Sequence, residues 1–84
     1  MNEKTFRALV EAGAIKRVRV IGDGDRFRVE VDTPGGMHLA QTSKAQARTW
    51  RSLDSTAKWL RSLGIASAII DVSRWQPQQR GLNL

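Results

Sequence analysis

Lys16-Arg17-Val18-Arg19-Val20-Ile21-Gly22-Asp23-Gly24-Asp25-Arg26-Phe27-Arg28-Val29-Glu30-Val31-Asp32 is the stretch that decides how this chain folds. From Lys16 to Ile21, Val18 and Val20 alternate with Arg17 and Arg19, the two-residue period of a strand with one buried face. Phe27, Val29 and Val31 alternate in the same way with Arg26, Arg28, Glu30 and Asp32. Gly22-Asp23-Gly24-Asp25 lies between the two runs and reads as a turn, because Gly and Asp accept the positive φ angles of tight hairpins. The two strands pair antiparallel, valines and Phe27 on one side and arginines on the other.

Beyond the hairpin, Thr33-Pro34-Gly35-Gly36 reads as a second turn and Met37 to Thr42 as a third strand. Ser43 to Ala47 has no apolar pattern and is expected to be a flexible loop or the tip of a longer hairpin. Arg48 to Arg51 resumes extended structure, with Trp50 turned inward and Thr49 and Arg51 turned outward. A helix is expected from Ser52, whose hydroxyl suits an N-cap, to Leu63, with Gly64 as its stop. Asp54 favours the positive end of its dipole. Leu53, Thr56, Ala57, Leu60 and Leu63 share one side of that helix, and Lys58 and Arg61 the other.

On the N-terminal side, Phe6, Leu9 and Val10 recur at helical spacing between Thr5 and Ala12, and Gly13 ends that helix. At the other end, Ile65 to Val72 is apolar and β-branched and reads as a final strand. Ala68, Ile70 and Val72 share its inner face, and Ile69 faces outward or packs beneath a helix. Trp75 is expected to cap the core. The fold class is α+β, in the order α-β-β-β-α-β, with an antiparallel sheet packed against helices. Residues 1–75 form the single domain and 76–84 a polar, weakly ordered tail.

Composition narrows the chemistry. There is no cysteine, hence no disulfide framework and no thiolate metal site. That suits a reducing cytoplasm, which is the expected location. No apolar run reaches the length of a membrane span, and the N-terminus lacks the order of a secretory signal. His38 is the only histidine and has no Cys or second imidazole to work with, so neither a catalytic residue nor a metal ligand is assigned. Gly22-Asp23-Gly24 leads into a strand rather than a helix, unlike a phosphate-cradling loop. No enzyme activity, cofactor or small-molecule substrate is expected.

Charge points to a macromolecular partner instead. Fourteen Lys and Arg against eight Asp and Glu leave a net charge of +6, and arginine dominates the basic residues. Arginine makes forked contacts with phosphates and stacks on bases, so an Arg-rich surface is a nucleic-acid footprint. Arg17, Arg19, Arg26 and Arg28 fall on one sheet face, which Arg51 and Lys44 extend. A sheet of this kind can enter the major groove of DNA. Glu30 and Asp32 share that face, and cross-strand ion pairs account for part of the pattern without any partner. The alternative is a protein interaction module or homodimer that uses the final strand edge or a surface around Trp59 and Ile69. Trp59 sits at the border of the helix stripe, and flanking the core is its first role.

Two resemblances follow from particular residues. Three strands and a helix, with Arg48-Thr49-Trp50-Arg51-Ser52-Leu53-Asp54-Ser55-Thr56-Ala57-Lys58-Trp59-Leu60 running into the helix, resemble the arm-type DNA-binding domains of tyrosine integrases over about half the chain. That resemblance implies an open sheet face laid against DNA. Ala12-Gly13-Ala14-Ile15, Phe27 to Asp32, Arg48 to Leu53, Leu63-Gly64-Ile65 and Asp71-Val72-Ser73-Arg74-Trp75 together look like the small ParC-like partition-associated proteins of plasmids and integrative elements. This second similarity covers most of the chain and implies a role in plasmid or mobile-element maintenance, without binding residues to carry over.

Overall fold

Asp23 and Arg26 face each other across a two-residue loop, Gly24-Asp25, and from that loop the central hairpin extends as strands β1 (Arg17–Gly24) and β2 (Arg26–Thr33). The computed structural model describes residues 1–76. Gly24 takes the positive φ of +65° at the first loop position, the place where a type II′ turn needs glycine. The expected turn is therefore shorter than four residues, and Gly22 and Asp23 stay in the strand. Strand β3 (Gly36–Leu39) follows a second tight turn, in which the Thr33 hydroxyl accepts from Gly35 N and donates to Gly36 O, both at 3.1 Å. It is shorter than the expected Met37 to Thr42.

Helix α1 (Glu3–Glu11) begins two residues earlier than the apolar spacing indicates, because Asn2 caps it by accepting from Thr5 N at 2.9 Å. Helix α2 (Leu53–Ser62) has the expected cap: Ser52 Oγ accepts from Ser55 N at 3.0 Å. Gly64 follows it at φ +91°. Both helices pack on the valine face of the sheet. Phe6 of α1 and Leu60 and Leu63 at the end of α2 join Val18, Val20, Phe27, Val29, Val31 and Ala40 in one buried cluster. Thr56 is fully buried within α2, and its hydroxyl donates to Ser52 O at 2.8 Å. Ala57, expected on the inner side, is exposed.

The sheet is mixed, in the order β3-β2-β1-β4, rather than wholly antiparallel as expected. Strand β4 (Ile69–Trp75) runs parallel to β1, because the intervening α2 reverses the chain between β3 and β4 and so delivers β4 in the direction of β3 and β1. It also starts later than Ile65. Its inner residues do not enter the core: Ile70 is 50% and Val72 46% exposed, against the expectation of burial. β4 is an outer strand with β1 on one side, and α2 stands over β2, leaving a groove between α2 and β4 lined by Val20, Leu60, Ile65 and Ile70.

Trp75 caps the core from β4, its ring 5.3 Å from that of Phe27. The space it occupies is that of a missing side chain at Gly22, where a Cβ would lie 2.8 Å from Trp75 Cβ. Opposite Gly22, β4 carries one extra residue: Ile21 pairs with Asp71 and Asp23 with Arg74, so Val72 and Ser73 together face a single residue of β1.

The other edge of the sheet is closed by the chain after β3. A loop returns at residues 41–47, and Trp50 then exchanges two main-chain hydrogen bonds with Phe27, at 2.8 and 2.9 Å. The expected extended segment thus fills the edge of β2 beyond β3. Over it lies a cluster from three parts of the chain. Trp59 of α2 packs on Trp50, with ring centroids 4.8 Å apart, and edge-on against Phe6 of α1 at 5.4 Å. The Arg48 guanidinium sits 5.4 and 5.1 Å from the rings of Trp50 and Trp59. Glu3 Oε1 accepts from Trp59 Nε1 at 2.9 Å and from Arg48 at 3.3 Å.

Candidate nucleic-acid interface

The register of β1 with β2 puts Arg17 opposite Asp32, Arg19 opposite Glu30, Ile21 opposite Arg28 and Asp23 opposite Arg26. Facing residues of paired strands point to the same side of a sheet. All four expected arginines therefore share the face away from the helices, with Asp23, Glu30 and Asp32 among them. Trp50 pairs with Phe27, so the next residue, Arg51, falls beside Arg26 at the hairpin end. The pairing of Asp23 with Arg74 brings a further arginine to the same end from β4. Arg74 escapes a reading of the sequence because its side of the strand depends on the extra residue before it.

The carboxylates on this face do not serve all the arginines equally. Arg19 forks onto Asp32 with bonds of 2.8 and 3.1 Å and also reaches Glu30 at 3.4 Å. Arg28 bridges Glu30 at 3.3 Å and Asp23 at 3.1 Å. This is a cross-strand lattice in which both arginines are tied to the sheet. Its electrostatic signature is reciprocal. The hydrogen bond from Arg19 pulls the Asp32 carboxyl below its ordinary value, and the bond to Asp32 raises the Arg19 guanidinium.

Arg26 has only a longer contact, 3.9 Å to its neighbour Asp25, and its side chain is 44% exposed against 23% for Arg19. Arg17 and Arg51 are exposed and make no ion pair among the described residues. The six expected contact residues thus divide. Arg17, Arg26 and Arg51 are available to a partner, Arg19 and Arg28 are engaged within the sheet, and Lys44 lies elsewhere. Its loop adjoins the start of α1, where Thr42 and Ser43 line a hollow with Asn2, Glu3 and Lys4.

The two expected partner-contact residues divide as well. Trp59 is half-buried and committed to Phe6, Trp50, Arg48 and Glu3. Its indole N–H is the largest cause holding the Glu3 carboxyl below its ordinary value of 4.5, with Arg7 and Arg48 contributing and burial opposing. Ile69 is 52% exposed on β4. His38 is exposed on β3, opposite Val31. Among the described residues no group of three or more His, Cys, Asp or Glu is placed to hold a metal ion, and no helix is long and apolar enough to cross a membrane.

Compared with known proteins, the chain matches no family model, no curated protein and no solved structure. The resemblances to integrase arm domains and to ParC-like proteins accordingly rest on the quoted residues alone.

Proposed function

We propose that this chain is a non-enzymatic, DNA-associated accessory protein that lays the open face of its sheet against the phosphate backbone. The observation that supports the reading is the pairing on that face: Asp23, Glu30 and Asp32 are engaged by Arg19 and Arg28, whereas Arg17 and Arg51 make no ion pair among the described residues and Arg26 has only its 3.9 Å contact with Asp25. Arg26 and Arg51 fall beside each other at the hairpin end, and both are exposed. The lattice has a function in this reading, since it holds the strand arginines flat and in register beneath the exposed ones. A place in the partition or maintenance of a mobile element belongs to the proposal through the sequence resemblance.

The test is titration of a labelled DNA duplex at several salt concentrations. Three phosphate contacts give a slope of roughly −3 in log K against log salt. Changing Arg17, Arg26 and Arg51 together to Gln should abolish most of that slope, whereas Arg19→Gln alone should change stability more than binding. Equal binding by the triple variant, or no binding by the parent protein at low salt, would sink the proposal.

A further inference from the structure

We propose that β4 pairs antiparallel with β4 of a second copy of this chain, with Asp71 of each copy facing Arg74 of the other. Among the described residues β4 has a neighbouring strand on one side only, and all 7 of its residues are exposed. Every exposed large apolar side chain among the described residues, apart from Met37, is on it: Ile69, Ile70, Val72 and Trp75. Edge strands that remain single are commonly protected by lysine, proline or inward-pointing charges. β4 contains no Lys or Pro, and its two charges are of opposite sign.

The extra residue in β4 selects the register. In a two-fold antiparallel pair, residues that face one another must lie on the same side of the sheet. Asp71 and Arg74 are three apart, and in a regular strand they would point to opposite faces. Because they pair with Ile21 and Asp23, they share the open face. Setting Asp71 opposite Arg74 of the second copy places Ile70 opposite Trp75 on the helix face, and Val72 opposite Ser73 at the two-fold axis. Sign, face and apolar character agree in this one alignment.

The polar groups fit it too. Asp71 Oδ1 accepts from Ser73 N at 3.0 Å and from Ser73 Oγ at 2.7 Å, so the amide nearest the axis is already satisfied and Oδ2 remains for a guanidinium. Arg74 makes no ion pair among the described residues. Gln76 N donates to Gly24 O at 2.6 Å, which turns the peptide groups of Trp75 to the outer edge, where Ile70 of the second copy would meet them. With the axis perpendicular to the sheet, the arginine faces of both copies lie on the same side.

Sedimentation equilibrium of the full chain, without nucleic acid, tests this independently of any DNA reading. A concentration-dependent monomer–dimer equilibrium is expected. Asp71→Arg and Arg74→Asp should each weaken it by roughly tenfold or more, since each sets like charges face to face twice. Mixing the two variants in equal amounts should restore most of the parent affinity, because each new charge then meets its opposite. That recovery does not depend on the internal Asp71–Ser73 bonds, which Asp71→Arg removes. In the parent protein, hydrogen exchange at Ile70 and Trp75 should slow as concentration rises, a readout that needs no variant. A parent protein that stays monomeric to about 1 mM, single variants that dimerise unchanged, or a mixture that fails to recover would each overturn the proposal.

Discussion

The two edges of the sheet use the same three kinds of residue and reach opposite states. On the β2 edge, Trp59, Arg48 and Glu3 form a closed cluster in which indole N–H, guanidinium and carboxylate satisfy one another. On the β4 edge, Trp75, Arg74 and Asp71 stand in a row on one strand, and only the tryptophan reaches the core. The difference lies in what the chain sends to meet them. Helix α1 carries Glu3 and Phe6 to the first edge, whereas nothing among the described residues crosses over the second. A Trp, an Arg and an acid close a surface when they come from separate elements that converge. Aligned on one outer strand, they leave it open to a partner.

Breaking the closed edge should have the largest effect. Trp59→Ala removes the ring contacts to Phe6 and Trp50 and orphans Glu3 and Arg48, and should cost about 3 kcal/mol in urea unfolding, within the range for a large aromatic. A loss under about 1 kcal/mol would mean that the cluster is decoration. The open edge should respond less. Gly22→Ala puts a Cβ 2.8 Å from Trp75 Cβ and 3.2 Å from the buried Phe27 ring, so the β4 backbone itself must move outward, and about 2 kcal/mol is expected. Tryptophan emission should move to the red as Trp75 is displaced. Gly35→Ala, with only Thr33 Oγ1 within 3.7 Å of the added carbon, is the control and should be near neutral.

Acid provides the mildest probe. The Glu3 carboxyl titrates lower in the folded chain than when unfolded, so its contribution is fully present above its ordinary value of 4.5 and is lost as the pH falls below that value. Asp32 follows the same sign, below 3.8, through its bond from Arg19. Midpoints of urea unfolding should therefore hold steady from neutral pH and decline only in that acid range. In Glu3→Gln the decline should be shallower at its upper end. Both carboxylates are partly exposed, and the effect is correspondingly small.

Much of the fold could be read from local signals. Alternation gave the β1–β2 hairpin and the shared arginine face, and cap chemistry placed α2 between Ser52 and Gly64. Contacts between distant residues were hidden. Glu3 meets Arg48 and Trp59 across 45 and 56 residues, and no pattern within either segment announces the other. Ile70 and Val72 looked like core because apolar character alone does not distinguish a strand with two neighbours from one with a single neighbour. The candidate site was legible in its face but not in its charge balance. Only the observed distances show that Arg19 and Arg28 are neutralised and Arg17 is not.

The extra residue opposite Gly22 has a consequence for the chain's capacity to change. It acts as a half-period phase shift: before it, odd-numbered residues of β4 face the arginine side, and after it, even-numbered ones do. Losing either Val72 or Ser73 would restore strict alternation, and would leave Arg74 opposite Asp23 and Trp75 opposite Gly24, each on its present face. One deletion would thus keep the tryptophan on Phe27 and the guanidinium on the open face. The segment can therefore lose one residue without changing which side chains meet the core, although a pattern written with strict alternation through Ile69–Trp75 would fail to recognise the longer form.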